Sequence, residues 1–265
     1  MDLYESVRAL WQGRHIGSVA ALDEALHSYR ILFAYHSGKI ENDDITYHDT
    51  REIFENGKVN GYTGDPRALF EQQNQKLCYD FLKHKIVAKE PLTSELVLEV
   101  HGILTSGTYD ERRFVERGER PGAYKKHDYV TGRQEVGHPP GQVDAAVKAL
   151  LDEVNSYRGS SVLRAAAYFH VRFEYIHPFT DGNGRVGRTL LNYYLMTRDE
   201  PPAVIHDEDK KQYYGALERY DTDEELEPMA AFIKAQTVKT WEKALERTNG
   251  TAPPNHRKLS DNHKF

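Results

Sequence analysis

Apolar residues recur along this chain every three to four positions, broken by capping residues, glycines and prolines, and no segment shows sustained strand alternation. Residues 2–12 read as a short helix. Over 19–36 a stronger one places Leu22, Leu26, Tyr29, Leu32 and Phe33 on one face. Ser37 and Glu41 stand four apart and share a face if that helix continues, with Asn42 suited to end it. Thr46 and Asp49 have the spacing of a capped helix start, and Asp65-Pro66 is another. The helix from there to about Ile86 carries an apolar stripe of Leu69, Phe70, Leu77, Phe81 and Leu82. Thr93 caps a helix with Leu96, Val97, Val100, Ile103 and Leu104 on one side; its His101 reads as a satisfied histidine rather than a ligand. Residues 107–141 differ, being rich in Gly, Pro and charge. Ala123-Tyr124 and Asp128-Tyr129-Val130 around Thr131-Gly132 suggest a small hairpin, with a solvated loop as the alternative. Helices follow over Val143–Tyr157 and from the Ser161 cap to Ile176; three consecutive alanines allow the second to pack closely as a central core helix. After Pro201-Pro202, helices are expected at about 207–220 and 224–246. The pattern gives one mostly α domain over 1–248, and a polar segment, 249–265, expected to be a disordered or extended tail.

Composition narrows the function classes. Of the 265 residues, 39% are hydrophobic and 29% charged, as in an ordinary soluble protein, and a net charge of −6 argues against a protein built to coat nucleic acid. A single cysteine, Cys78, in a helical apolar setting, reads as a buried structural thiol and suits a reducing compartment. No apolar run approaches membrane-spanning length and the N-terminus lacks a signal segment, so the cytoplasm is the expected location.

The chemistry concentrates in residues 177–188, His-Pro-Phe-Thr-Asp-Gly-Asn-Gly-Arg-Val-Gly-Arg. Pro178 should push His177 out of the α region and stop the incoming helix. Gly182 and Gly184 permit a turn whose N–H groups form an anion nest, and the helical stretch after Gly184 puts that nest on a helix N-terminus. Arg185 and Arg188 share a face and suit phosphate oxygens; Asp181 offers a hard oxygen ligand for Mg²⁺. His177 is the one group in the stretch able to take up a proton near neutral pH. A charged surface connection between helices is the plain alternative. His170, Glu174 and His177, spaced i, i+4, i+7, would make a metal face on a continuous helix, but Pro178 and the surrounding aromatics weigh against it.

The same twelve residues match, at every defined position, the signature His-Pro-Phe-x-(Asp/Glu)-Gly-Asn-Gly-Arg-x-x-Arg, and the chain resembles the Fic family from about residue 35 to 240. The resemblance implies the Fic fold, a helical bundle around a central helix–loop–helix site with a small β-hairpin flap. It also implies protein adenylyltransferase activity: AMP moved from ATP to a hydroxyl side chain of a target protein. Doc toxins, which alter the turn, transfer a terminal phosphate; Gly182 and Arg185 resemble the AMP-transferring type. By resemblance His177 is the base, Phe179 the core anchor, Asp181 the Mg²⁺ ligand, Gly182, Asn183 and Gly184 the anion hole, and Arg185 and Arg188 the holders of the outer phosphates.

Residues 121–140 resemble the flap that docks the target as an added strand, with Lys125 where many members have arginine. Tyr214 is similar to a residue bordering the adenine, with core packing as its alternative, and Asp221 falls where relatives often have an amide. Ser37-x-x-x-Glu41-Asn42 matches the family's inhibitory pattern and lies before the motif, resembling the class with an inhibitory helix (here about 22–42) in cis. The implied partners are ATP, a protein target, a self-modified copy and a second copy in a homodimer, with no nucleic acid or membrane. Two rival activities stand beside AMP transfer: removal of AMP with Glu41 positioning water, and a slow nucleotide-sensing adaptor, against which the intact His177 counts.

Overall fold

A computed structural model describes residues 2–42, 44–129, 137–248 and 250. Eleven α-helices occur among them: α1 (Leu3–Gln12), α2 (Val19–Ala25), α3 (His27–Glu41), α4 (Tyr47–Asn56), α5 (Pro66–Val87), α6 (Ser94–Leu104), α7 (Pro140–Ser156), α8 (Val162–Ile176), α9 (Asn183–Met196), α10 (Lys210–Asp223) and α11 (Glu227–Thr248). A π turn over Arg112–Glu116 and a 3₁₀ turn over Asp207–Asp209 complete them. The sequence reading of a mostly helical bundle is what the chain forms.

Most helix starts follow from local chemistry. Ser18, Thr93 and Ser161 each accept a first-turn N–H, Thr46 and Asp49 form a reciprocal capping box, and Asp65 caps α5 ahead of Pro66. α8 is the centre, packed by α7, α9, α10 and α11. Its three alanines, Ala165 to Ala167, are buried and let those neighbours approach. Cys78 is buried, and burial pushes its thiol pKa up, as a structural thiol requires. Among the described residues no helix is long and apolar enough to cross a membrane.

Three expectations need correction. The helix expected over 19–36 bends at Leu26 (φ −102°, ψ 9°), a fully buried residue; packing sets the break, with no Gly or Pro to mark it. On α5, Phe70 and Leu77 are exposed, and the buried face holds Glu71, Gln72, Asn74 and Gln75 beside Cys78, Leu82 and Ile86. That polar face is buried because it serves other segments: Asn74 donates to the carbonyls of Leu104 (3.3 Å) and Ser106 (2.8 Å). Lastly, no strand forms among the described residues of the expected hairpin. Two backbone N–H groups beside it are used elsewhere: Lys125 donates to Pro178 O at 2.9 Å and His138 to Ile176 O at 3.0 Å. Residues 130–136, and the expected tail apart from Gly250, lie outside the described residues.

Candidate active site

α8 carries the chain to the site and ends at Ile176. His177 leaves the helix as Pro178 requires, but into the left-handed region (φ 51°, ψ 62°) rather than an extended one, while its N–H still bonds Phe173 O at 3.1 Å. This removes it from any metal face with His170, which is buried and bonded to the Tyr213 hydroxyl at 2.8 Å. Burial, then the charge of Lys125, pushes the His177 pKa down to about 4, against a hydrogen bond to the Glu174 backbone carbonyl. The ring is therefore neutral at neutral pH; the nitrogen facing that carbonyl carries the proton and the other keeps its lone pair.

The loop after His177 is braced from within. Phe179 is fully buried and lies flat on His101, ring centroids 3.6 Å apart and planes within 3°. Asn183 accepts from the Phe179 N–H (2.9 Å) and donates to its carbonyl (2.8 Å). The Asn183 side chain is thus spent on holding the loop, and only its backbone N–H remains for an anion. Gly182 stands at φ 81° as the N-cap of α9, where a Cβ would also come within 2.7 Å of Thr105. No side chain caps α9, so its first-turn N–H groups, which a helix leaves without internal partners, form an anion site.

That site already has an anion beside it. The Glu41 carboxylate, at the end of α3, lies so close over Gly184 that a Cβ there would come within 2.5 Å of its oxygen. Glu41 binds Arg188 at 2.7 Å, and Arg188 also donates to Ser37 Oγ (3.1 Å) and the Ser37 carbonyl (3.0 Å). The Arg188 side chain is 2% exposed and that of Glu41 37%. Burial works to raise the Glu41 pKa, but the Arg188 charge and hydrogen bond outweigh it and hold the acid ionised. The structure thus brings together Ser37, Glu41 and Arg188, which the sequence separates by some hundred and fifty positions.

Asp181 and Arg185 form a second network whose other half went unread in the sequence. Arg185 is buried between Glu71 (3.0 Å) and Asp181 (3.4 Å), while Arg67 spans Asp181 (2.5 Å) and Glu71 (2.9 Å). Two arginines and two carboxylates cancel in charge, which makes their burial tolerable. Burial opposes ionisation of Asp181, yet Arg185 and Arg67 hold its pKa below the ordinary value. Arg67 and Glu71 stand four apart on α5; that spacing was the only available signal. An ionised, 18% exposed carboxylate beside an anion site fits Mg²⁺, which binds hard oxygens together with phosphates; Arg67, 34% exposed, is the partner able to yield.

A family model described as Fic/DOC matches residues 91–195, spanning α6 to α9 and the whole loop. The chain belongs to the Fic/DOC family. It is 32% identical over 238 residues to the protein adenylyltransferase Fic of Drosophila persimilis, and 32% over 236 residues to that of Drosophila willistoni. These alignments take in 88% and 87% of this chain but only 44% of either relative's length. Two solved structures share the fold. A Fic domain containing signaling protein from Bacteroides thetaiotaomicron superposes with a TM-score of 0.80 at 22% identity, covering 95% of this chain and 98% of that one. A fragment of Fic-1 from C. elegans gives 0.78 at 23%, covering 94% and 73%.

Around the Fic loop, three further features appear. Tyr214 is 44% exposed, which excludes the core-packing alternative, and burial with the nearby Glu41 carboxylate pushes its pKa up to about 12. His101, read from sequence as merely satisfied, holds the loop: Nδ1 accepts from the Gly122 N–H (2.9 Å), so Nε2 carries the proton toward Asp181 O (3.2 Å). Burial keeps the ring neutral, with a pKa near 3. Just before residues 121–140, buried Glu119 gathers the Lys126 N–H (3.1 Å), His127 Nδ1 (2.9 Å) and the Tyr129 hydroxyl (3.0 Å). Neither His101 nor Glu119 stands in a recognisable local pattern.

Proposed function

We propose that this chain is a protein adenylyltransferase that uses ATP and Mg²⁺ and is held back by its own Glu41. One observation carries the reading: a neutral His177 stands beside an uncapped helix N-terminus over whose Gly184 lies a carboxylate of the same chain. The names of the relatives at 32% identity support the activity.

The polyphosphate would lie on the first-turn N–H groups of α9, where backbone donors and helix dipole favour negative charge. Arg188, released from Glu41, would bind the outer phosphates in bidentate fashion. Asp181 would hold Mg²⁺, whose contribution when bound is to offset charge on the phosphates. His177 would accept the proton of a target hydroxyl as its oxygen bonds to the α-phosphorus and the bond to the β-phosphoryl oxygen breaks, releasing pyrophosphate. Tyr214, half-exposed at the rim, offers a face to the adenine. The segment around Lys125 is fastened to Pro178 next to the base, which suits it to present the target.

A second reading, removal of AMP from modified protein, is favoured by the ionised and partly exposed Glu41 carboxylate, which suits the positioning of a water. The test is to incubate the protein with Mg²⁺ and ATP labelled on either the α- or the γ-phosphorus, then with AMP-modified protein. Label from the α-phosphorus should enter protein, including the chain itself, and His177→Ala should abolish it while ATP binding survives. Label from the γ-phosphorus alone would replace AMP transfer with phosphoryl transfer.

A further inference from the structure

One polar cluster lies outside the nucleotide site yet touches the helix that closes it. His36, one residue before Ser37 on α3, faces the 3₁₀ turn Asp207–Asp209. A ring nitrogen of His36 and carboxylate oxygens of Asp207 and Glu208 lie within 4.8 Å of one another, the only such group among the described residues. The side chain is 10% exposed and packs edge-on against His206, centroids 4.6 Å apart. Three different residue types thus converge from two elements: a buried nitrogen ligand from α3 and two oxygen ligands from the turn.

Two groups of Asp207 compete there for one His36 nitrogen. The Asp207 N–H points at His36 Nδ1 (3.3 Å), which asks that nitrogen to be bare. The Asp207 carboxylate lies 2.5 Å from the same nitrogen, which asks it to carry a proton. One nitrogen cannot do both. A metal ion in place of that proton would take lone pairs from the nitrogen and the carboxylate together, the longer Asp207 N–H contact giving way as it does to the proton. Asp209, the turn's third acid, is engaged by Gln236 (2.7 Å) and Lys239 (2.7 Å), and Glu208 by Lys239 (2.8 Å). Glu208 is 55% exposed on its side chain and Lys239 38%, so that pair can open at little cost.

We infer that His36, Asp207 and Glu208 form a site for a divalent transition-metal ion, Zn²⁺ being the best match, that clamps α3 to the start of α10. An imidazole nitrogen with two carboxylates suits Zn²⁺ and disfavours Mg²⁺ and Ca²⁺, which prefer all-oxygen sets. Three protein ligands leave a position for water, and no redox or group-transfer step is involved. The consequence is regulatory, and this part rests on the proposed function. α3 carries Ser37 and Glu41, and it is already fastened at its end by Lys210 donating to the Ile40 carbonyl. A metal joining His36 to the 207–209 turn would add a second fastening and hold Glu41 on Arg188.

Binding is tested first, on the full chain without nucleotide, by calorimetric titration with Zn²⁺ and separately with Mg²⁺. One Zn²⁺ site should appear, with affinity falling at least tenfold in both His36→Ala and Glu208→Gln, the second exposed enough to leave the fold intact. Zn²⁺ should raise the thermal midpoint of the parent protein and not of the variants. Unchanged Zn²⁺ affinity in the two variants, or Mg²⁺ bound as tightly at the same place, overturns the site. The regulatory arm measures AMP transfer at fixed Mg²⁺. Zn²⁺ should lower it severalfold in the parent and leave Glu41→Gly unaffected although that variant still binds Zn²⁺. Equal inhibition of both removes the link to α3, and absence of transfer from Glu41→Gly counts against the activity while leaving the metal site standing.

Discussion

Replacing Glu41 with glycine removes the carboxylate that sits over Gly184 and frees Arg188. Breaking a fully buried ion pair by deleting one partner costs about 3–5 kcal/mol. Here the penalty is smaller, because the Glu41 side chain is 37% exposed and Arg188 keeps both oxygens of Ser37 at 3.1 and 3.0 Å. Glu41 is also the last residue of α3, where a negative charge opposes the helix dipole and a glycine is well tolerated. A loss of roughly 1–2 kcal/mol is expected once solvent screening is allowed for. The gain in rate should be larger. A carboxylate over the anion site is expected to push the polyphosphate aside by about an ångström, and such displacement costs roughly a hundredfold, or about 2.7 kcal/mol of barrier. Glu41→Gly should therefore raise AMP transfer by about two orders of magnitude at saturating ATP, self-modification included. Adding Arg188→Ala should return transfer to a low level, since the freed guanidinium is what the activation depends on. Incorporation of α-labelled phosphate by the parent, the single and the double variant measures this, with urea unfolding for the stability change. Equal incorporation by the parent and Glu41→Gly would refute the inhibitory role. Full activity in the double variant would refute the part given to Arg188.

Asp181→Ala should flatten the dependence of transfer on Mg²⁺ concentration; a titration curve like that of the parent would place the metal ligand elsewhere. Glu71→Gln leaves Arg185 buried with Asp181 as its remaining carboxylate, and should cost about 3 kcal/mol in chemical unfolding while also lowering transfer; a loss below about 1 kcal/mol would mean the network is not structural. Glu174 sits next to Arg188 with one buried oxygen lacking a partner, and burial raises its pKa to about 7 from the ordinary 4.5. The folded state thus holds the proton more tightly than the unfolded, so stability present below pH 4.5 is lost as pH rises through 7. Glu174→Gln should be nearly neutral at pH 5 and stabilising by up to roughly 3 kcal/mol at pH 8, read as the thermal midpoint at each pH; the same change at both would show the carboxyl is not held protonated.

Much of this protein was legible in its sequence because the signals were local. Caps such as Thr46 with Asp49 and Asp65 before Pro66 act within one turn, so helix starts could be read from four residues. The loop was legible for the same reason: Pro178 ends α8, Gly182 opens the turn, and α9 begins at once. Where residues act across the fold, the sequence fell short. The apolar stripe on α5 pointed to Phe70 and Leu77 as core, yet they face solvent, because α5 turns a polar face inward to meet Arg185 and the end of α6. Asn183 was read only as part of the anion hole, and the bracing of the loop by its side chain against Phe179 could not be read from the sequence. At either side of the expected hairpin, Lys125 and His138 give their backbone N–H groups to Pro178 and Ile176, partners that exist only once α8 has brought the loop alongside. His101 and Glu119 had no pattern to betray them, since each is defined by partners gathered from other segments. Residue type and spacing determine what a segment can do within a turn of itself. Which buried charge meets which counter-charge is decided only when packing excludes water and leaves each polar group to the partner within reach.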